Sequence, residues 1–70
     1  MTNDELKGAL TLAVPVMFDS IRDGSIEYAC VNAIIYRRDG NGGTKVTAEL
    51  LDKNSNSVII CDPRRVTVKG

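Results

Sequence analysis

The segment Asp39-Gly40-Asn41-Gly42-Gly43 constrains this chain more than any other. It holds both Asp-Gly and Asn-Gly, dipeptides that supply the positive φ angles of tight hairpin turns. Strand-favouring sequence lies on each side of it. Residues 26–37 carry Tyr28, Val31, Ile34, Ile35 and Tyr36, which fit a pleated surface. Residues 44–51 alternate, with Val46, Ala48 and Leu50 assigned to a core and Lys45, Thr47, Glu49 and Leu51 to the opposite face. An antiparallel hairpin is therefore the expected centre of the fold. Of the 18 Val, Ile and Thr residues, 13 lie from Ile26 onward, so a helix-only fold is ruled out. The 26–37 stretch exceeds an ordinary strand, which predicts a bend or a bulge within it. Its two tyrosines share a parity and are placed on one face.

The remaining elements follow from local signals. Thr2 and Glu5 form a capping-box pattern, and Leu6, Ala9, Leu10 and Ala13 make one apolar stripe, which predicts a helix over 3–12. Pro15 ends it, and the residue before a proline is pushed towards extended geometry. A helix this short holds only when docked, so Leu6 and Leu10 are both expected against the body; the competing reading is an exposed partner-binding helix with its interface at Leu6, Leu10 and Ala13. Residues 16–18 form a short strand, and 19–25 a loop anchored by Ile21. Turn residues at 52–56 precede an apolar strand at 58–61. Asp62-Pro63-Arg64-Arg65 has the capping residue and first-turn proline of a single helical turn, followed by a strand at 66–68. The expected body has five strands.

Seventy residues make one domain over 1–70, near the lower limit for a core without staples. Most of the apolar residues must therefore face inward, and dimerisation would ease the shortage. No apolar run is long enough to span a membrane. Residues 9–18 lack a basic start and a small-residue cleavage pattern, so no signal peptide and a cytoplasmic location are expected. In that compartment Cys30 and Cys61 are expected as buried, reduced thiols.

The order of elements resembles the SH3-like small barrel: a short strand, a loop, three meandering strands, a one-turn helix at Asp62-Pro63-Arg64-Arg65-Val66 and a final strand. The resemblance covers residues 15–69 and implies a mainly β, five-stranded SH3-like barrel with one short N-terminal α-helix. Pro15-Val16, Tyr28, Ala48-Glu49-Leu50-Leu51-Asp52 and Asn56-Ser57-Val58 also look like small uncharacterised proteins of Gram-positive bacteria, their phages or mobile elements. Peptide-binding members of the SH3 class grip polyproline with several aromatics including a Trp. This chain has no Trp and only Phe18, Tyr28 and Tyr36, which argues against polyproline recognition.

Chemistry-bearing constellations are sparse. With no His, neither cysteine has an imidazole base, and the serines lie in turns, so covalent catalysis lacks its activating partner. Asp19, Asp23 and Glu27 do not have calcium-loop spacing. Gly40, Gly42 and Gly43 lack the strand–loop–helix context of a phosphate loop. No enzyme, no cofactor and no metal site is expected. Charge is uneven: residues 1–35 carry two basic and five acidic side chains, and residues 36–70 seven basic and four acidic. The paired Arg37–Arg38 and Arg64–Arg65, with Tyr28 and Tyr36, form the candidate binding surface. The leading expectation is a non-catalytic interaction module acting through a protein partner or as a homodimer. The alternative is a nucleic-acid-associated accessory protein using the basic second half, although a neutral net charge gives phosphate binding thin support.

Overall fold

In the computed structural model, which describes residues 1–69, α1 spans Asn3–Leu12. Thr2 caps it as the sequence pattern predicts. The Thr2 hydroxyl accepts from the Glu5 amide at 3.2 Å, and the Glu5 carboxylate accepts from the Thr2 amide at 2.9 Å. These bonds hold the Glu5 carboxyl below its ordinary range. Ala13 closes the helix in the left-handed region at φ 54°, its amide donating to the Ala9 carbonyl at 3.0 Å. Pro15 then redirects the chain into strand geometry.

Six strands follow: β1 (Val16–Ser20), β2 (Gly24–Tyr28), β3 (Cys30–Arg38), β4 (Thr44–Asp52), β5 (Ser57–Cys61) and β6 (Val66–Val68). They form two three-stranded antiparallel sheets, ordered β2-β1-β6 and β3-β4-β5. The body is mainly β, but it differs from the expected five-stranded barrel. Among the described residues no ladder closes the two sheets into one. The single strand expected over 26–37 is instead two strands that part at Ala29. Its amide donates to the Leu51 carbonyl at 2.9 Å and carries the chain from one sheet to the other. A segment of that length cannot follow the twist of one sheet and cover a small core without turning. The expected irregularity is also present as a register shift between Val31 and Ala33, which leaves Asn32 as the extra residue.

Two turns differ from expectation. Residues 19–25 are not a loop; β1 and β2 pair as far as Ser20 with Gly24 around a tight turn. Gly24 takes φ 75°, the conformation such a turn demands. Ile21 sits at the tip and is 83% exposed, so it anchors nothing. The Asp39–Gly43 turn forms where expected, with Gly42 at φ 84°. Asp39 Oδ1 accepts from the Asn41 and Gly43 amides at 2.9 and 3.0 Å. The 3₁₀ turn Pro63–Arg65 is capped by Asp62, which accepts from the Arg64 amide at 2.9 Å.

The core lies between the two sheets and under α1. It contains Leu6, Ala9, Val16, Tyr28, Val31, Ala48, Leu50 and Val66. The assignment of Val46, Ala48 and Leu50 to one face holds, with Ala48 and Leu50 fully enclosed. The helix docks on β3 through Leu6 and Ala9. Leu10, expected beside Leu6, sits at the rim, 37% exposed. The N-terminal ammonium donates to the Pro63 carbonyl at 2.6 Å and to the Val66 carbonyl at 3.2 Å, tying the start of α1 to the 3₁₀ turn.

Candidate functional site

Residues paired across an antiparallel ladder share a face. The β3–β4 and β4–β5 registers therefore divide the second sheet into an inner and an outer side. Val31, Ile34, Ala48, Leu50, Ile59 and Cys61 face the core. The outer side carries Cys30, Ala33, Ile35 and Arg37 on β3, Lys45, Thr47, Glu49 and Leu51 on β4, and Val58 and Ile60 on β5. None of these outer residues belongs to the core cluster. Val58 is 43% and Ile60 56% exposed. Strand propensity explains why β-branched side chains occupy an open face, yet that face is more apolar than strand formation alone requires.

At one end of the outer face lies an open depression of about 270 Å³, lined by Arg37, Arg38, Lys45, Thr47 and Ile60. Arg37 stands directly opposite Lys45, a like-charge cross-strand pair that repels. The ion pairs among the described residues are Arg64–Asp62 and Lys69–Glu27, so neither Arg37 nor Lys45 has an acidic partner. Thr47 Oγ1 is shielded from water and has no hydrogen-bond partner. Further along the same face Glu49 Oε2 accepts from Asn32 Nδ2 at 2.6 Å, a neutral contact made by the bulge residue.

The structure separates the residues singled out from the sequence. Arg37 and Arg38 share the depression, whereas Tyr36, 52% exposed, pairs with the core-packed Val46 and so lies on the opposite side of the sheet. Tyr28 is buried and cannot serve as a stacking surface. Its ring meets Phe18 edge to face, 6.3 Å between centroids, and burial pushes its phenol upward, with the charges of Asp52 and Cys61 adding to the shift. The equal parity of Tyr28 and Tyr36 loses its meaning because the chain changes sheets at Ala29. Arg64 and Arg65 lie on the 3₁₀ turn, outside the depression. Arg64 is engaged by its own cap: Nη2 donates to Asp62 Oδ2 at 2.7 Å and Nε to the same oxygen at 3.1 Å. The Arg64 hydrogen bonds hold the Asp62 carboxyl down to about 2.

Lys45, Thr47, Glu49 and Ile60 were not singled out from the sequence. The signal for the first three was present in the β4 alternation, which already placed them on the non-core face. Ile60 needed the β4–β5 register, because 58–61 is apolar throughout.

Both cysteines are free and partly buried. Burial, with the Asp62 charge adding to it, pushes the Cys61 thiol up to about 11. A thiol held protonated at neutral pH is a poor nucleophile. Among the described residues no three His, Cys, Asp or Glu side chains gather as a metal-holding group, and no helix is long and apolar enough to cross a membrane. No family model, curated protein or solved structure matches the chain.

Proposed function

We propose that this chain is a small non-catalytic interaction module on the SH3-like plan, working through protein contact at the outer face of the β3-β4-β5 sheet. The observation that carries this reading is the exposure of Val58 and Ile60 on a sheet face whose opposite side is packed into the core. Contiguous apolar surface rimmed by charge is the mark of a protein contact. The SH3-like plan is supported by the chain order β6-β1-β2 and β3-β4-β5, with Ala29 as the step between the two halves. Against catalysis stand the absence of His and the protonated state of Cys61. Two unbridged thiols fit a cytoplasmic location.

The test compares wild type with Ile60→Asp in affinity capture from cell extract. The variant should keep its melting midpoint and lose the proteins that wild type retains. Identical capture by both would sink the reading.

Arg37, Arg38 and Lys45 around one depression favour a second reading, an accessory protein that contacts nucleic acid. Binding to generic DNA or RNA that falls steeply with salt and weakens on Lys45→Gln would favour it. Three clustered cations supply few phosphate contacts, so weak and salt-sensitive binding is the most this surface can give.

A further inference from the structure

We propose that the outer face of the β3-β4-β5 sheet joins two copies of this chain across a two-fold axis that crosses β4 at Thr47, perpendicular to the strands. The inference deepens the interaction-module reading and rests on it.

Charge placement selects the partner. Arg37 and Lys45 repel one another across the β3–β4 ladder, and neither has an acidic partner among the described residues. The acidic side chain on their face is Glu49, four residues further along β4 and so roughly 13 Å away, beyond ion-pair reach. Its hydrogen bond to Asn32 leaves its charge uncompensated. A second copy laid face to face supplies Lys45 and Glu49 with the opposite charge that each lacks. Rotation about the proposed axis reverses the strands, so Lys45 of each copy lies over Glu49 of the other. Rotation about an axis parallel to the strands would instead set Lys45 on Lys45 and Glu49 on Glu49. Of the two self-complementary arrangements, one is attractive and the other repulsive.

The apolar groups follow the same symmetry. Ile35 is paired with Thr47 in the β3–β4 register, so both sit at the axis and meet their own counterparts. Ile60, 56% exposed, flanks the centre. β3 and β4, nine residues each, cover about 30 Å by about 10 Å and the five-residue β5 adds about 17 Å by about 5 Å, so each copy contributes at most about 400 Å² of flat face. The total lies below the range of stable specific interfaces, so the dimer is a weak and rapidly reversible one.

The test uses the whole chain in sedimentation equilibrium at concentrations up to about 1 mM, where even a millimolar dimer is populated. Lys45→Glu and Glu49→Lys should each weaken self-association by at least about tenfold, because both ion pairs become repulsions. Mixing the two variants should restore dimers, since each then offers the charge the other needs. Thermal unfolding checks that both remain folded, and Lys45→Gln serves as the milder variant if either does not. A wild type that stays monomeric overturns the proposal, as does association indifferent to both reversals or a mixture that fails to recover. A monomeric wild type that still loses captured proteins on Ile60→Asp would overturn the dimer alone and leave the interaction-module reading standing.

Discussion

β4 presents two faces with opposite fates. On one, Ala48 and Leu50 are fully enclosed beneath α1 and the first sheet. On the other, Thr47, Glu49 and Leu51 are only partly covered, with Val58 and Ile60 open beside them. Both faces hold apolar side chains, so hydrophobicity does not separate them. Tertiary packing does: a chain this short can enclose one side of its second sheet. The apolar residues left on the other side are available for contact with another molecule.

The largest effect should come from the enclosed face. Leu50→Ala should cost about 2–5 kcal/mol and lower the melting midpoint by roughly ten degrees or more. Ile60→Ala, on the open face, should cost under about 1 kcal/mol. Equal losses in thermal unfolding would break the contrast between the two sides.

The helix offers the same contrast on a smaller scale. Leu6 is enclosed and Leu10 is 37% exposed, so Leu6→Ala should destabilise by about 2–4 kcal/mol and Leu10→Ala by less than about 1 kcal/mol. Denaturant unfolding of both variants measures the difference. A Leu10→Ala loss matching that of Leu6→Ala would mean that the stripe docks along its whole length.

Thr47→Val sharpens the comparison at the border between the faces. A shielded hydroxyl without a partner disfavours the folded state, and Val keeps its shape, so the variant should gain about 1 kcal/mol. A loss of that size would reveal a hydrogen bond through solvent or a second copy.

A pH-dependent effect concerns Cys61 at the edge of the core. An unfolded thiol titrates near about 8.5, whereas burial holds the folded one at about 11. The unfolded chain therefore releases this proton first. The resulting stability is fully present below about pH 8.5 and declines as pH rises towards 11. Unfolding midpoints at about pH 8 and about pH 10 should differ in wild type and differ less in Cys61→Ala. An unchanged difference would place the titration elsewhere.

Local chemistry was legible where neighbouring residues decide it. The Thr2–Glu5 capping box, the Asp39–Gly43 turn, the Asp62–Pro63 cap and the β4 alternation all formed as their residues require. Each depends on atoms within a few positions of one another, so the sequence contains the whole cause. The candidate surface was legible only in Arg37 and Arg38, because Tyr36 pairs with Val46 on the core side. Tyr28 left it because the strand breaks at Ala29, and Arg64 because Asp62 engages its guanidinium.

The sequence by itself determined that the body is β, that one helix precedes it, and where its main hairpin turns. Periodicity, turn chemistry and capping are local interactions, and they suffice for that. Only the tertiary structure decided that the long apolar stretch serves two sheets, that Leu6 rather than Leu10 enters the core, and that Ile60 faces outward beside Lys45 and Thr47. Those outcomes depend on register and on how much surface two small sheets and one helix can enclose. Residues on different strands and on the helix set both, and no pattern within one element records them.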